Sequence, residues 1–434
     1  MTAYRAAWVC PIDQPPIRDG VVTVAGQRIA EVGIPSTLLR AGRDPGSLRL
    51  AETARSGQAG IRDLGQVALL PGLVNAHVHL ELSWLRGRVP PAHRFTDWVK
   101  QLVALRRRIE RLGDPDIVGP IRDAIGELRE CGTVAAGDIS NSLASVAPMA
   151  DAGLTGLVFH ELLGFTERDG RLVDRSVEAR AALASRGVRI SPAPHAPYST
   201  SPELFRAIRA AVDASDCPIT SVHLGESPQE VELLASGTGS WRSMLEMIGA
   251  WRDDWPIPGC GPVQYLDGMN LIDARTLVIH GVQLDEVALG RLAEIGATLV
   301  TCPRSNQWVG VGVPPIERFY ASGVNVAVGT DSLASVPDLN LFSELKTMRW
   351  LAPGVPARKI LESATLTGAR ALGLEHELGS LTPGKRAEMI AVALPESVDD
   401  VEEYLLSGIE PSQIEWIRPG FRTPGSGIRR TLNP

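Results

Sequence analysis

Short hydrophobic runs alternate with amphipathic stretches of helical period through the middle of the chain. This alternation is typical of βα units that surround a parallel sheet. Eight of the runs predict strands, at residues 67–79, 132–140, 155–162, 188–195, 218–224, 276–281, 297–303 and 324–331. Eight strand–helix repeats within about 300 residues favour a TIM-type (β/α)8 barrel over an open, doubly wound sheet.

Both ends of the chain carry a different pattern, in which short strand-like runs are separated by turns. VVTVAG and QRIAEVG predict a β-hairpin near the N-terminus, and LGSLTPGKRAEMIAVAL predicts a Gly/Pro turn followed by a strand near the other end. We therefore predict an α/β fold with a distorted TIM-type (β/α)8 barrel at residues 69–376. A small β-sandwich domain is predicted from both termini, residues 1–68 and 377–434.

Two segments interrupt these patterns. Residues 37–65 are rich in Ala, Arg, Gly and Ser, a composition that predicts a loop or insertion around the terminal sheet. Residues 237–270 are longer than a standard loop between the fifth and sixth strands, and they contain Trp241, Trp251 and Trp255. We interpret this second segment as a lid or as part of the wall of a substrate pocket.

Composition narrows the classes of function. The 434 residues are 44% hydrophobic, and 43 Lys and Arg against 50 Asp and Glu give a net charge of −7. A chain of this charge has no general attraction to phosphate backbones or anionic lipid. The five cysteines form no C-x-x-C pair, and no stretch has the length and apolar character of a signal peptide or membrane span. We expect a cytoplasmic, soluble protein with a small-molecule substrate and no nucleic-acid or membrane partner, and the sequence leaves a homodimer open.

Residue types that bind metals or move protons occur where the predicted strands end. In a barrel the carboxyl ends of the strands converge on one mouth, so residues from different strands build one site. The residues in these positions are His77, His79, Glu161, His195, His223, His280 and Asp331.

The H-x-H pair at the first strand suggests a metal. Because side chains two positions apart in a strand point to the same face, His77 and His79 can present both imidazoles to one ion. A nitrogen of His223 and an oxygen of Asp331 would complete a set of three nitrogens and one oxygen. Such a set, with an open position for water, suits Zn²⁺ or Fe²⁺. The alternative is that these histidines are satisfied core or surface residues.

Three residues could transfer protons or donate hydrogen bonds beside such a metal. The metal itself lowers the pKa of bound water to about 7. Glu226 lies three residues beyond His223 and is predicted to shuttle protons to a substrate ring nitrogen, the alternative being a surface glutamate. His280 could hydrogen-bond the hydroxide or the tetrahedral oxygen, or be a buried histidine bonded to backbone. Asp331 could accept the proton of the attacking water, or be a helix N-cap.

Several absences favour one metal and exclude other enzyme classes. A bridged two-metal barrel site needs a lysine that can be carboxylated, and all four lysines fall in predicted helices or turns. The chain has neither the H-E-x-x-H helix of zinc proteases nor the P-C-x-x-C that follows H-x-E in cytidine deaminases. It also lacks G-x-S-x-G, a P-loop and G-x-G-x-x-G.

Six motifs occur in the order PGLVNAHVHLELS, HAPYSTS, HLGES, VIHG, CPRSN and GTDSLAS. This ordered set resembles the amidohydrolase superfamily over nearly the whole chain, and within it the mononuclear deaminase and chlorohydrolase branch. The resemblance implies metal ligation by His77, His79, His223 and Asp331, proton shuttling by Glu226, hydroxide alignment by His280 and substrate contact by His195.

More narrowly, HLELS, FHELLGF, CPRSN and GTDSLAS look like the aminofutalosine deaminases of the futalosine route to menaquinone. That resemblance implies attack of water at C6 of an adenine ring, with ammonia as the leaving group. Deaminases of adenosine, methylthioadenosine, S-adenosylhomocysteine or guanine share most of these motifs and remain alternatives. Two further alternatives are a chlorohydrolase or amidohydrolase that acts on another heterocycle, and a barrel protein that binds a ligand without catalysing a reaction.

Other polar residues are candidates for contact with the substrate, together with His195 and Glu161. Glu81 could accept hydrogen bonds from ribose hydroxyls or an exocyclic amine, or cap a helix. Arg304 could pair with a substrate carboxylate or form a structural salt bridge. Ser305 and Asn306 could bond the edge of a base.

Overall fold

The computed structural model of the protein describes residues 1–34, 61–110 and 116–418. The loop predicted at residues 37–65 lies largely outside the described residues. Its described end contains a strand, Ile61–Asp63, that pairs in parallel with Thr2–Arg5. The loop prediction is therefore wrong for this part, because backbone pairing with a strand distant in sequence overrides a composition typical of loops.

The strands of the described chain, in order, are β1 Thr2–Arg5, β2 Trp8–Val9, β3 Ile17–Arg18, β4 Val21–Ala25, β5 Arg28–Gly33, β6 Ile61–Asp63, β7 Val67–Pro71, β8 Leu73–Val78, β9 Thr133–Ser140, β10 Thr155–Leu162, β11 Arg189–Pro194, β12 Thr220–Leu224, β13 Thr276–His280, β14 Thr298–Thr301, β15 Asn325–Val328, β16 Met389–Ala393 and β17 Ile414–Ile417. Each of the eight runs predicted as barrel strands contains one of the strands β8 to β15. Contacts between Cα atoms divide the chain into two compact units.

The first unit comprises Met1–Pro71, Ser380–Val398 and Glu415–Pro434. It holds one sheet in the order β5-β4-β1-β6 and another in the order β17-β16-β7-β2-β3. The predicted hairpin is present as the antiparallel pair of β4 and β5. Side chains of both sheets share one hydrophobic core, which includes Tyr4 of β1 and Leu69 of β7.

The second unit comprises Gly72–Gly379 and Asp399–Ile414. Its strands form two parallel four-stranded sheets, in the orders β11-β10-β9-β8 and β12-β13-β14-β15. Backbone hydrogen bonds join the two sheets at both edges. The N–H of His223 donates to the carbonyl of His195 at 2.8 Å, and the N–H of Asp331 donates to the carbonyl of His77 at 3.0 Å.

Helices of this unit follow the strands, as the amphipathic stretches predict. The described α-helices are Phe95–Glu110, Val118–Glu130, Val146–Ala152, Arg171–Leu183, Pro202–Asp213, Pro228–Ser236, Ser240–Met247, Pro262–Asp267, Glu286–Ile295, Pro303–Val309, Ile316–Ala321, Leu341–Leu351, Ala357–Ser363, Leu366–Ala371 and Val401–Leu405. Short 3-10 helices lie at Leu80–Leu85, Ala184–Arg186 and Pro411–Gln413. No helix in the described part of the chain is long and apolar enough to cross a membrane.

The helix Pro202–Asp213 shows how the sequence sets these elements. Ser201 precedes it and accepts a hydrogen bond from the backbone N–H of Leu204 at 3.0 Å, while proline occupies the first turn, where its missing N–H has no cost. Its apolar side chains recur at helical spacing, and the buried ones include Phe205 and Ile208. Such helices bury one face and leave the carboxyl ends of the strands free to carry polar groups.

Candidate active site

The four predicted metal ligands come together at the ends of three strands. His77 lies in β8 and His79 directly follows it, His223 lies in β12 and Asp331 follows β15. The Oδ1 atom of Asp331 lies 3.8 Å from Nε2 of His77 and 3.5 Å from Nε2 of His79. The ring centre of His77 is 4.9 Å from that of His79 and 5.0 Å from that of His223.

These side chains fit a divalent metal. Ligand atoms about 2.1 Å from a tetrahedral zinc lie roughly 3.4 Å apart, close to the separations of the Asp331 oxygen from the two imidazoles. The donor atoms of His77, His79 and Asp331 all lie within 4.8 Å of one another, and so do those of His77, His223 and His280. Both ring nitrogens of His77 are buried and have no hydrogen-bond partner among the described residues. An unpaired buried nitrogen is costly, so a ligating role explains it.

Backbone geometry brings Asp331 to the H-x-H pair. A side chain at Gly329 would place its Cβ 2.5 Å from the backbone oxygen of His77, so only glycine lets the two chain segments approach this closely. Asn75 ties the same segments, because its Nδ2 atom donates to Oγ1 of Thr330 at 2.8 Å. Asp331 has a φ of 62° and His280 a φ of 73°, in the left-handed region that non-glycine residues rarely adopt. Strain of this kind concentrates at functional sites.

Ser305 fixes the carboxylate of Asp331. Its hydroxyl donates to Oδ2 at 2.5 Å, and the backbone N–H of Ser332 donates to Oδ1 at 2.8 Å. The helix that follows Asp331 in the described chain starts only at Leu341. The N-cap alternative for Asp331 therefore does not fit the structure.

Glu226 and His280 face each other beside the ligand set. Their closest atoms, Oε1 of Glu226 and Nε2 of His280, are 3.5 Å apart. The side chain of Glu226 is 4% exposed, so the alternative of a surface glutamate does not fit. Burial raises the pKa of Glu226 well above its ordinary value, and the charges of Asp331 and Glu230 add to the rise. Burial also lowers the pKa of His280 well below its ordinary value, so this ring is neutral near pH 7.

Two residues that the sequence reasoning missed hold Glu226. The carboxylate of Glu230 accepts hydrogen bonds from the backbone N–H groups of Gly225 and Glu226, at 2.9 and 3.0 Å. Tyr198 interacts with the Glu226 carboxyl and opposes part of the rise in its pKa. Its ring is stacked on Trp241 with ring centres 3.9 Å apart, so the segment 237–270 packs against the candidate site. Two features of the sequence could have pointed to these residues. The S-x-x-E pattern after HLGE contains Glu230, and the motif HAPYSTS contains Tyr198.

His195 and Glu161 adjoin the ligand set, as predicted substrate contacts should. Nδ1 of His195 is 2.6 Å from the hydroxyl of Ser199, and its ring centre is 4.9 Å from that of His223. Burial lowers the pKa of His195 to about 4, so its ring is neutral at pH 7. Glu161 accepts a hydrogen bond from Nδ2 of Asn141 at 3.0 Å, and its Oε1 is 3.4 Å from Nδ1 of His223.

Glu81 has a structural role instead of the predicted contact with a ribose. Its carboxylate accepts hydrogen bonds from the hydroxyl and backbone N–H of Ser142, the hydroxyl of Ser140 and the N–H of Asn141. The donors lie at the last residue of β9 and in the turn that follows it. Glu81 therefore fixes this turn, and Asn141 within it reaches Glu161.

The predictions for Ser305, Asn306 and Arg304 are also corrected. Ser305 and Asn306 are fully buried behind the site, where Asn306 bonds Nδ1 of His280 at 3.0 Å and Ser305 bonds Asp331. They position the residues of the site and cannot reach the edge of a base. The guanidinium of Arg304 donates to Glu344 at 2.6 Å and to the side chain of Asp338 at 2.9 Å, so the salt-bridge alternative describes it.

The ion pair of Arg304 and Glu344 gives a prediction about stability. Glu344 is fully buried, so Glu344→Ala leaves the guanidinium largely buried without its main partner, and we expect the free energy of unfolding to fall by about 3 kcal/mol. Glu246→Ala breaks the exposed pair with Arg242 and should cost less than about 1 kcal/mol. Urea unfolding followed by circular dichroism measures both variants, and equal losses would contradict the prediction.

Comparison with known proteins agrees with this geometry. The family model described as "Amidohydrolase family" matches residues 68–414. A 5-methylthioadenosine/S-adenosylhomocysteine deaminase of Moorella thermoacetica is 29% identical over 94% of this chain and 90% of its own. An aminodeoxyfutalosine deaminase of Deinococcus radiodurans is 29% identical over 82% of this chain and 81% of its own. The crystal structure of an adenosine deaminase from Xanthomonas campestris with bound zinc is similar with a TM-score of 0.76, at 26% identity over 95% of this chain and 90% of that one.

Proposed function

The chain belongs to the amidohydrolase family and is a hydrolase that acts on C–N bonds, and we propose that it deaminates adenine nucleosides at the 6-amino group. Within this class we propose aminofutalosine, of the futalosine route to menaquinone, as the substrate. Methylthioadenosine, S-adenosylhomocysteine and adenosine are the alternatives that the named relatives support. The single observation that carries the proposal is the placing of Glu226 and His280 beside the set of three histidines and one aspartate.

We propose that His77, His79, His223 and Asp331 hold one divalent metal. Three imidazoles and a carboxylate suit both Zn²⁺ and Fe²⁺, and we name Zn²⁺ as the native ion. Bound there, the metal supplies a Lewis acid that makes water a nucleophile near neutral pH. His77 is held ready for this role because no described residue competes for its ring nitrogens.

The chain's own residues supply the proton transfers of the reaction. Asp331 takes the proton of the attacking water, and Ser305 keeps its second oxygen in place. Glu226, whose burial favours the protonated form, gives a proton to the purine ring nitrogen next to C6. His280 stabilises the oxygen that develops on C6, and Asn306 fixes the orientation of its ring. The proton that Asp331 accepted reaches the amino group, the C6–N bond breaks and ammonia departs. The C6 hydroxyl proton then returns to Glu226 as the carbonyl forms, which restores the protonated carboxyl.

The architecture that we propose for this function consists of a distorted (β/α)8 barrel and, as a separate unit, a β-sandwich. The backbone hydrogen bonds from His223 and Asp331 support closure, since they join the two four-stranded sheets at both edges. The common core of the two terminal sheets supports the sandwich. Closure matters for function because it brings β8 and β15 together at the ligand set.

A deamination screen tests the proposed function. Purified protein reconstituted with Zn²⁺ or Fe²⁺ is incubated with aminofutalosine, adenosine, methylthioadenosine, S-adenosylhomocysteine and guanine, and ammonia is measured together with the change in purine absorbance. We expect at least one adenine nucleoside to release ammonia as its absorbance changes to that of the hypoxanthine product. Chloride release from a chlorotriazine, without ammonia from any nucleoside, would support the rival chlorohydrolase function instead.

A further inference from the structure

One of the proposed metal ligands, His223, has hydrogen-bond acceptors at its second ring nitrogen. Its Nδ1 atom lies 3.2 Å from the backbone carbonyl of His195 and 3.4 Å from Oε1 of Glu161. A carbonyl and an ionised carboxylate can only accept hydrogen bonds, so Nδ1 carries the ring proton and Nε2 keeps the lone pair that a metal needs. His77 is different, because neither of its ring nitrogens has a hydrogen-bond partner among the described residues. The tautomer of His223 is therefore set by its surroundings.

Glu161 is held in the orientation that this contact requires. It is buried near the end of β10. The Nδ2 atom of Asn141 donates to the backbone carbonyl of Glu161 at 3.1 Å and to its Oε2 atom at 3.0 Å. One amide group thus binds the main chain and the side chain of Glu161 together. The carboxylate is fixed with Oε2 on Asn141 and with Oε1 facing His223.

The turn that carries Asn141 is in turn fixed by Glu81. Oε1 of Glu81 accepts the backbone N–H of Asn141 at 2.9 Å, and Glu81 is buried two residues after His79. These contacts form a chain that starts beside one proposed ligand and ends at the ring of another. Its members, in order, are Glu81, Asn141, Glu161 and His223.

We propose that Glu161 is a positioning residue of the metal centre, which accepts the Nδ1–H of His223, directs Nε2 of that ring to the ion and is itself held by Asn141. The inference rests on the proposed function, because it concerns the surroundings of the proposed metal. A histidine ligand that donates its second N–H to a carboxylate is more basic and keeps its ring orientation, and loss of such a partner typically lowers metal affinity by about 10–100-fold. In this assignment Glu161 acts through His223 and takes the place of the predicted substrate contact.

The affinity for Zn²⁺, measured without substrate by competition with a chromophoric chelator, tests the inference. Glu161→Gln keeps the shape of the side chain and removes the carboxylate, so we expect the Kd for Zn²⁺ to rise by about tenfold or more. Asn141→Ala leaves the carboxylate present but free to turn, and should raise Kd by about three- to tenfold. Glu178 is exposed on the helix Arg171–Leu183, so Glu178→Gln is the matched control and should leave Kd within about twofold.

A double variant separates positioning from simple attraction between charges. Removing the charge of Glu161 weakens the binding of a dication even without a hydrogen bond to His223, whereas Asn141 carries no charge. If Asn141 acts through Glu161, adding Asn141→Ala to Glu161→Gln should raise Kd by less than about a further twofold. Losses that multiply in full would overturn the proposed chain of contacts.

Two further measurements keep the test decisive. Circular dichroism of the metal-free proteins shows whether each variant is folded, and if Glu161→Gln is not, Asn141→Ala decides alone, because Asn141 is only half-buried. The donor atoms of Glu161, His195 and His223 also lie within 4.8 Å of one another. Binding of two zinc ions per chain, with the second lost in Glu161→Gln, would make Glu161 a ligand and overturn its positioning role.

The outcomes distinguish this inference from the proposed function. Weaker Zn²⁺ binding in both single variants, without a further loss in the double variant, supports it. A Kd that stays within about twofold in both would overturn it, and a raised KM for a nucleoside would then return Glu161 to contact with the substrate. A loss in Glu161→Gln alone shows attraction between charges only and also overturns it. If no nucleoside releases ammonia, the proposed function fails, and the chelator measurement still decides the inference.

Discussion

Replacing Glu226 with glutamine is expected to lower kcat by about a thousandfold, because the reaction then loses the acid that protonates the purine ring. The substitution keeps the shape of the side chain and does not touch the four proposed ligands. Metal content measured by mass spectrometry should therefore equal that of the unaltered protein. Steady-state ammonia release, with the best nucleoside from the screen, measures the loss.

A control variant lies nearby on the following helix. Glu232 is exposed, so Glu232→Gln makes the same substitution without touching the site and should leave kcat within about twofold. A Glu226→Gln protein that keeps its metal and turns over at the full rate would remove the proton-shuttle role. Loss of metal in this variant would instead show that Glu226 helps to build the ligand set.

Most of the candidate site follows from the sequence because of one geometric rule. The carboxyl ends of parallel barrel strands meet at one mouth. Residues at these ends can therefore be assigned to one site without any prediction of the helices, and they are His77, His79, His223, His280 and Asp331. The structure brings the donor atoms of His77, His79 and Asp331 within 4.8 Å of one another, and likewise those of His77, His223 and His280. The strands β8 to β15 were predicted from a different property of parallel sheets. Buried parallel strands are short and continuously apolar, so each of these strands appears in the sequence as a hydrophobic run.

The supporting contacts did not follow from the sequence, because they depend on where a side chain points after its strand ends. Arg304, Ser305 and Asn306 are consecutive, and on the short helix Pro303–Val309 neighbouring residues face different directions. Arg304 turns to Glu344, whereas Ser305 turns to Asp331. Sequence alone gives the proximity of such residues to a site but not the direction of each side chain.

The role of Glu81 was misjudged, and that of Glu230 was missed, for a related reason. Glu81 accepts hydrogen bonds from backbone N–H groups of the turn after β9. Glu230 accepts them from backbone N–H groups of the HLGE segment. A carboxylate next to a site can serve the substrate or the backbone, and only the position of the donors decides between them. In this protein the donors include backbone N–H groups of the segments that carry Asn141 and Glu226, so both glutamates position the site.

Removing the metal is expected to abolish turnover. The Lewis acid contributes several kcal/mol to the reaction, so dialysis against a chelator should lower kcat by about a thousandfold or more, and Zn²⁺ or Fe²⁺ should restore it. His77→Ala should not be restored, because it removes the imidazole whose two nitrogens have no other described partner. Metal analysis and ammonia release after reconstitution measure both effects.

Thermal stability gives an independent measurement of the same ligand set. A metal that binds the folded chain and not the unfolded one raises the unfolding midpoint, so Zn²⁺ should raise it for the unaltered protein and not for His77→Ala. His376→Ala is the matched control, because that ring is 93% exposed and its removal should leave the response to Zn²⁺ unchanged. Full turnover of metal-free protein would contradict the proposed mechanism, since Asp331 and Glu226 move protons but neither makes water a nucleophile at neutral pH. An equal midpoint shift in His77→Ala would place the metal elsewhere in the protein.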